Sequence, residues 1–361
     1  MLGQVFEDDP RTLRRARVGL PPWFANLLPE GELRRQIIHE LGGGNIGDFT
    51  LLLKLGAYLP GAVTVHGDSQ PEADDPAPAS SYPEPDHPIW HSQAGVQLKY
   101  TVSGDRLTFP AHGNGGWWTV KLPDRSLREL AVNEYLTMRW LALAGFSVPA
   151  VQLVPAAAVG GIPDGLVDPA ELVYLTERFD RVPGGRVHFE DFAQVADVPP
   201  MHKYSQSGAT YDSMAAAIRY LVGQPGYEDF VGRLAAMLVT GNVDAHLKNW
   251  SLIYRDGRPA EMAPIYDFHS LTVYGRYRYS PLALSLNGQT LATSVGPDDF
   301  RRLAERAGAD PELTVDCAVE AIHRLRMAWA GGASEESKTR YPDLAEHYRR
   351  RLETLPICLM G

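Results

Sequence analysis

Cysteine is nearly absent from this sequence. Only Cys317 and Cys358 occur among 361 residues. Two thiols cannot build a disulfide framework, and they are too few for a thiolate zinc site. The eleven histidines are scattered, and no two of them have the HExxH spacing of a zinc protease. We therefore expect neither a disulfide-rich fold nor a zinc centre built from these side chains.

Long apolar runs are absent as well. None approaches the roughly 18–20 residues that a membrane-spanning helix needs. Asp8, Asp9 and Pro10 lie where a secretory signal would have an apolar stretch. The hydrophobic fraction of 44% and the charged fraction of 22% are ordinary for a soluble globular protein. We expect a cytoplasmic protein that does not contact a membrane.

Positive charge is also in short supply, with 34 Lys and Arg against 44 Asp and Glu and a formal net charge of −10. This balance argues against a chain that binds nucleic acid over its whole surface. Basic clusters at residues 11–17 and 349–351 are interpreted as solvated faces.

Composition divides the chain into four regions. They are residues 1–66, 67–91, 92–179 and 180–361. The second is a linker or long loop, because its residues 67–90 contain six prolines and six acids and almost no aliphatic side chains. The first is a small N-terminal unit, the third is rich in strands, and the fourth is mostly helical.

Residue patterns predict the individual elements. Strands are expected at 96–102, 106–109, 117–122, 151–155, 171–179 and 262–266. Helices are expected at 30–41, 48–55, 127–144, 214–221, 227–240, 298–306, 312–330 and 341–355. A strand-rich part followed by a helical part predicts two lobes.

The segment Asn242–Asn249 (NVDAHLKN) carries the clearest chemical pattern, together with Asp267 downstream. Asp244 can take a proton from a substrate hydroxyl, although a lone acid here would more often cap a helix or turn. Asn249 and Asp267 offer oxygen ligands for Mg²⁺. Protein kinases use an Asp and an Asn at the same five-residue spacing, followed by a metal-binding Asp. The pattern therefore predicts magnesium-dependent phosphoryl transfer.

Two further side chains lie within this segment. Lys248 is a candidate for neutralising the transferring phosphoryl group, and the alternative is a solvated loop lysine. His246 could hold the loop by packing, contact nucleotide phosphate, or do neither.

Lys121 lies in an apolar run that reads as a strand. A lysine among buried neighbours needs an anionic partner. In a kinase the partners are nucleotide phosphate and a helix glutamate, and Glu134 is the candidate for the latter. The alternative is a surface lysine on a strand.

Two segments resemble nucleotide-binding parts, although neither is specific alone. Residues 92–99 (SQAGVQLK) contain one glycine, far fewer than a GxGxxG or Walker A loop, but they precede the lysine-bearing region where a phosphate-covering loop would lie. The competing glycine cluster at 113–116 is interpreted as a turn. Glu177 and Phe179 lie where a kinase hinge would contact adenine. An ion pair between Arg178 and Asp180 could also end this strand.

Together these residues resemble the HipA family of bacterial toxin kinases. The matching segments are 26–31 (NLLPEG), 55–63 (LGAYLPGAV), 92–99, 120–123 (VKLP), 133–134, 143–145, 178–181 (RFDR), 190–194 (EDFAQ) and 242–249. They occur in the family's order and cover roughly residues 20–330. The second acidic motif, Asp267-Phe268-His269, lacks the glycine of the DFG motif in ordinary protein kinases.

The resemblance implies an α+β, two-lobed protein-kinase-like fold with an α/β N-terminal domain and an all-helical C-terminal domain. Residues 1–66 would be a shortened HipA N-terminal subdomain, 92–179 the kinase N-lobe and 180–361 the C-lobe with the catalytic loop.

The resemblance also implies an ATP- and Mg²⁺-dependent serine/threonine protein kinase. Asp244 would be the catalytic acid/base, Asn249 and Asp267 would bind magnesium, and Ser92 would be autophosphorylated to silence the enzyme. The implied ATP-binding residues are Ala94, Gly95, Val96, Gln97, Leu98, Lys99, Lys121, Glu134, Glu177, Arg178, Phe179, His246, Lys248, Asn249 and Tyr266.

The family's substrates are aminoacyl-tRNA synthetases, the glutamyl and tryptophanyl enzymes among them. Its usual partner is a helix-turn-helix antitoxin of the HipB type, so DNA would be contacted only through that partner. Two other functions remain open at this point. One is a small-molecule or lipid kinase on the same scaffold, and the other is a non-catalytic partner or co-repressor module.

Overall fold

The structure is a computed structural model that describes residues 2–9, 19–67, 99–102, 117–160, 162, 165–257 and 259–359. The helices of these ranges are α1 (Gln4–Asp8), α2 (Pro22–Ala25), α3 (Gly31–Glu40), α4 (Asp48–Leu55), α5 (Leu130–Leu143), α6 (Phe192–Val195), α7 (Tyr211–Leu221), α8 (Gln224–Thr240), α9 (Pro297–Ala307), α10 (Pro311–Ala328), α11 (Ser334–Arg340) and α12 (Pro342–Thr354). The strands are β1 (Lys99–Val102), β2 (Trp118–Lys121), β3 (Val151–Pro155), β4 (Leu172–Glu177), β5 (Arg181–Val182), β6 (Gly185–Arg186), β7 (His188–Asp191), β8 (Ser251–Tyr254) and β9 (Glu261–Met262).

A four-stranded antiparallel sheet forms the smaller lobe, with the strand order β1-β2-β4-β3. Its side chains alternate between two faces, as the period of a strand requires. Val173 and Leu175 of β4 lie in one hydrophobic core, whereas Tyr174 between them lies in another. The sheet is therefore covered on both sides.

The N-terminal unit covers one face of this sheet. Trp23, Leu33 and Leu51 from its helices share a core with Val120 of β2 and Val173 of β4. Residues 20–66 are thus packed onto the four-stranded sheet, although the linker lies between them in sequence. Apart from residue 67, the linker lies outside the described residues.

Helix α5 covers the opposite face and contacts β3 and β4. Beyond it lies the larger core, which is built around α8. Between Phe230 and Thr240, every side chain of α8 is buried, and α7, α10 and α12 pack against it. Within the described ranges, no helix is long and apolar enough to cross a membrane.

The larger lobe is not helical throughout, so the expectation of an all-helical C-terminal domain needs correction. It also contains a three-stranded antiparallel sheet in the order β7-β8-β9. The strand expected at 262–266 is wrong in extent, because β9 ends at Met262. The Ala263 N–H still donates to the Ser251 carbonyl at 2.9 Å, but the Ile265 N–H donates instead to the Ser147 carbonyl at 2.8 Å.

Several other predicted elements agree with the structure. The helix at 48–55 and the strand at 151–155 have the expected bounds, and α3 is one residue shorter than expected at each end. The strand expected at 106–109 lies outside the described residues.

Candidate active site

A cleft lies between the four-stranded sheet and the catalytic segment, which is Asn242–Asn249 of the larger lobe and is named for its predicted role. Its volume is about 810 Å³ when the open mouth is included. The residues that line it are Asn26, Pro60, Thr119, Lys121, Pro149, Thr176, Glu177, Arg178, Phe179, Asp180, Phe189, Asp191, Gln194, Lys248, Asn249, Tyr266 and Asp267. Its lining combines apolar and aromatic side chains with a few charged groups, as small-molecule sites usually do.

Lys121 faces helix α5 because of its place in the sheet. Its neighbour Val120 points into the core below the N-terminal unit, so Lys121 points the other way. Register pairs it with Tyr174, which lies on the same face. On that side its ammonium group contacts the carboxylates of Glu134 and Asp267. The predicted lysine–glutamate pair is therefore present.

This charge cluster lies in the interior of the protein. Lys121 is 3% exposed and Glu134 is 1% exposed. Burial alone would lower the pKa of Lys121, but Asp267 and Glu134 together raise it above its usual value. The lysine therefore stays charged beside both carboxylates.

The catalytic segment begins where α8 ends. Gly241 closes the helix at φ 73°, and an added Cβ there would lie 1.9 Å from Thr272 Oγ1. Only glycine fits both constraints. The chain then turns, with the Asp244 N–H donating to Asn242 Oδ1 at 3.2 Å. Asp244 is thus presented by a turn held to the end of a buried helix.

Asn249 closes the same turn. Its Nδ2 donates to the Asp244 carbonyl at 3.0 Å, which leaves the amide oxygen as its ligand atom. Asn249 and Asp267 both line the cleft. Asp267 has a left-handed backbone conformation, with φ 56°, which is uncommon outside glycine and costs free energy.

The donor set of this region fits magnesium. Mg²⁺ prefers carboxylate and amide oxygens, and Asp267 and Asn249 supply one of each. Ligand atoms of Glu134, Asp267 and His269 also lie within 4.8 Å of one another.

The expected hinge forms one wall of the cleft. The Arg178 N–H donates to the Trp117 carbonyl at 2.7 Å. Arg178 also makes the anticipated ion pair, donating to both carboxylate oxygens of Asp180 at 2.9 and 2.7 Å. The ring of Phe179 lies 5.5 Å from that of Tyr266. Glu177 completes this wall.

Comparisons with known proteins show the family of this chain. Residues 91–329 match the HipA-like C-terminal domain, and residues 5–66 match the HipA N-terminal domain. The chain belongs to the HipA-like family. It is 38% identical over 318 residues to the "Putative kinase Y4dM" of Sinorhizobium fredii, covering 86% of this chain and 76% of that protein.

Another HipA-like relative is the serine/threonine-protein kinase toxin HipA of Shewanella oneidensis. It is 24% identical over 346 residues, covering 85% of this chain and 76% of that protein. Among solved structures, the complex of Shewanella oneidensis HipA, HipB and operator DNA aligns with a TM-score of 0.68 and 20% identity. The alignment covers 94% of this chain and 87% of the matched chain. These findings confirm the predicted two-lobed, HipA-like kinase fold.

Lys248 of this HipA-like chain has a different environment from the one expected for a phosphate-neutralising group. Its ammonium donates to the carbonyl and to Oδ1 of Asn26 at 2.8 and 2.9 Å, and to Asp191 Oδ2 at 2.9 Å. An ammonium group has three N–H donors, and the three contacts match that number. Lys248 therefore ties the catalytic segment to the N-terminal unit at the edge of the cleft.

His246 is 3% exposed. Burial first, and then the charge of Lys203, lowers its pKa to about 3, so the imidazole is neutral near pH 7. Its ring packs edge-on against Tyr204, with centroids 5.1 Å apart. This contact corresponds to the loop-holding alternative among its expected roles.

Sequence reasoning missed several residues around this site. Tyr204 donates to Asp244 Oδ1 at 2.8 Å, and Asn26 and Asp191 bind Lys248. All three lie far from the catalytic segment in sequence, and no residue spacing connects them to it. The EDFAQ match included Asp191 but gave no indication of this contact.

The expected phosphate loop lies almost entirely outside the described residues. This applies to the autophosphorylation candidate Ser92 and to Ala94, Gly95, Val96, Gln97 and Leu98. The backbone of Lys99 is described, and it pairs with Lys121 at the β1–β2 register.

Proposed function

We propose that this HipA-like protein is an ATP- and Mg²⁺-dependent serine/threonine protein kinase. The observation that carries the proposal is the buried Lys121–Glu134–Asp267 cluster in a cleft that also contains Asn249 and a hinge. A lysine from the sheet, a glutamate from the covering helix and an aspartate that lines the cleft correspond to the parts that kinases use around nucleotide phosphates.

Each residue has a role in this mechanism. Asp244 accepts the proton of the acceptor hydroxyl as phosphoryl transfer proceeds. Lys121 holds nucleotide phosphate and is itself oriented by Glu134. Asn249 and Asp267 hold magnesium, which offsets charge on the phosphate oxygens when it is bound. The backbone and rings of the hinge, from Glu177 to Phe179, hold adenine together with Tyr266.

We further propose a toxin of a toxin–antitoxin pair that phosphorylates an aminoacyl-tRNA synthetase, glutamyl or tryptophanyl, and so arrests growth. Support comes from the similarity to a relative named as a kinase toxin. The matched complex of HipA with HipB and operator DNA supports a HipB-like antitoxin as partner. Autophosphorylation of Ser92 would add negative charge near the phosphates and silence the kinase.

The kinase reaction is tested with γ-labelled ATP. We expect the wild-type chain to transfer label in the presence of Mg²⁺ and to lose transfer when EDTA is added. Asp267→Ala should reduce the rate by at least about 10²-fold, because it removes a carboxylate that would hold magnesium beside the phosphates. Asp316→Ala, at an exposed position of α10, is the matched control and should retain the full rate. Equal rates for the wild-type and Asp267→Ala chains would refute the mechanism.

The acceptor is tested by phosphoproteomics after brief induction of the wild-type chain or of Asp267→Ala. A synthetase peptide and a Ser92 peptide that depend on Asp267 are the expected result. Label confined to small molecules would instead favour a small-molecule or lipid kinase. Growth arrest that persists in Asp244→Ala would favour the non-catalytic partner module.

A further inference from the structure

Tyr204 lies outside the catalytic segment and forms a hydrogen bond with the Asp244 carboxylate. Its hydroxyl donates to Asp244 Oδ1 at 2.8 Å. Burial, followed by the charge of Asp244, raises the pKa of Tyr204 far above its usual value. The phenol therefore stays protonated and remains a donor to the carboxylate at any physiological pH.

Other contacts hold Tyr204 in this position. Its ring packs at 88° against the ring of His246, two residues beyond Asp244. The carbonyl of its neighbour Lys203 accepts from the Leu247 N–H at 3.1 Å. The segment that carries Tyr204 is thus attached to the catalytic segment by backbone, ring and hydroxyl.

The N-terminal unit contacts the same segment. Lys203 Nζ lies 2.7 Å from Glu30 Oε2, and the two side chains are 10% and 23% exposed. Glu30 is also within 3.8 Å of the Lys248 ammonium. One carboxylate of the N-terminal unit therefore reaches the Tyr204 segment and the catalytic segment together.

We propose that Tyr204 is a positioning residue for phosphoryl transfer, braced by the Glu30–Lys203 pair. Its hydroxyl fixes the rotation of the Asp244 carboxylate about its Cβ–Cγ bond, so that the carboxylate is aligned with the acceptor hydroxyl before the reaction. Tyr204 takes up no proton and does not contact phosphate. The inference rests on the proposed kinase function, because it assigns a task only if Asp244 acts on an acceptor.

Tyr204→Phe tests this role because it removes the hydroxyl and keeps the ring against His246. The rate is measured with γ-labelled MgATP, as label transferred to the chain itself and to casein. We expect kcat to fall about tenfold, the size of effect expected for losing a hydrogen bond to a charged group. KM for ATP should change by less than about twofold, since Tyr204 does not line the nucleotide cleft.

Tyr220→Phe is the matched control, because Tyr220 is 85% exposed on α7. It should leave both kcat and KM unchanged. Rates are measured well below the melting temperatures of both the wild type and Tyr204→Phe. MgADP should raise the melting temperature of Tyr204→Phe by as much as it raises that of the wild type. A general structural role would instead weaken MgADP binding and lower the melting temperature.

The brace is tested with Glu30→Gln alone and combined with Tyr204→Phe. If Glu30 acts through Tyr204, the fall in kcat of the double variant should be smaller than the product of the two single-variant factors. A fall in kcat equal to that product would show that Glu30 acts independently of Tyr204, and would contradict the bracing role. An unchanged kcat in Tyr204→Phe, with an active and Asp267-dependent wild type, would overturn the positioning role alone. No transfer by the wild type would overturn the proposed function and this inference with it.

Discussion

Lys248 lies in the catalytic segment, but its ammonium group contacts residues of other parts of the chain. Its side chain is 1% exposed, and that of its partner Asp191 is 9% exposed. The same Asp191 caps α6 by accepting from the Gln194 N–H at 2.9 Å. One buried ion pair therefore connects the catalytic segment, α6 and, through Asn26, the N-terminal unit.

We expect Lys248→Met to lower the free energy of unfolding by about 3–5 kcal/mol, because removing one partner leaves the Asp191 carboxylate buried and unpaired. Urea denaturation followed by circular dichroism measures it. Lys338→Met is the control, since its pair with Glu335 is 59% and 76% exposed and contributes little. Should Lys248→Met keep full stability and lose only activity, the phosphate-neutralising role would be favoured instead.

At the scale of elements, the N-terminal helix α1 is held by the carboxylate of Glu190, which is fully buried in β7. That carboxylate accepts from the Gln4 N–H at 2.9 Å, from Trp23 Nε1 at 2.6 Å and from the Tyr254 hydroxyl at 2.7 Å. Burial raises the pKa of Glu190, while these donors oppose the shift. The start of the N-terminal unit is thus fastened to the sheet that contains Asp191.

Gly3→Ala tests how tightly this attachment is packed. An added Cβ would lie 2.4 Å from Trp23 Nε1 and 2.5 Å from Glu190 Oε1. The backbone at Gly3 is extended, with φ 179°, so any effect is steric. We expect a loss of about 1–3 kcal/mol of unfolding free energy, as for other overpacked sites.

Gly275→Ala is the control for this variant, because nothing lies within 4 Å of its added Cβ. Thermal melting of both variants beside the wild type gives the comparison. Equal melting temperatures for all three would show that α1 does not pack on Glu190 in solution.

The small sheet of the larger lobe shows where element prediction failed. Strands β7 and β8 have four residues each, which is too short for periodicity to separate strand from helix. All four side chains of β8 are buried, so it has no polar alternation. The two strands pair across a separation of about sixty residues, as in Asp191 with Ser251. Only the tertiary fold supplies that partner.

For the molecule as a whole, buried neutral histidines make stability depend on pH. Burial, then the nearby arginines, lowers the pKa of His347 to about 3, and burial lowers that of His188 to about 4. The unfolded chain binds these protons near the usual histidine pKa of about 6.5. The contribution of these two histidines to the free energy of unfolding is therefore fully present above that pH, and it is lost as the pH falls toward the two lowered pKa values.

We expect the free energy of unfolding to fall between pH 7 and pH 5, by about 2 kcal/mol for each such histidine. Denaturation curves across this range measure the slope. His347→Gln should reduce the fall in unfolding free energy between pH 7 and pH 5 by about the 2 kcal/mol that His347 contributes. His202→Gln, at an exposed position, should leave that fall unchanged. A stability that is constant from pH 7 to pH 5 would contradict the burial of these rings as neutral groups.

The sequence by itself indicated the HipA-like fold and placed Lys121, Glu134, Asn249 and Asp267 in one proposed site. It could do so because these residues lie in motifs of fixed spacing, and because the long helices and the strand of β3 have clear periodicity. Such patterns involve residues that are close together along the chain, so they can be recognised from the sequence alone.

Only the tertiary structure showed that Tyr204 contacts Asp244, that Lys248 binds Asn26 and Asp191, and that Glu190 holds α1. These contacts join residues separated by 40, 222, 57 and 186 positions. A hydrogen bond across such a separation depends on how the lobes and the N-terminal unit pack, and no local pattern records it. The residues of the proposed site were therefore predictable from spacing, whereas the contacts that hold them in place were decided by the fold.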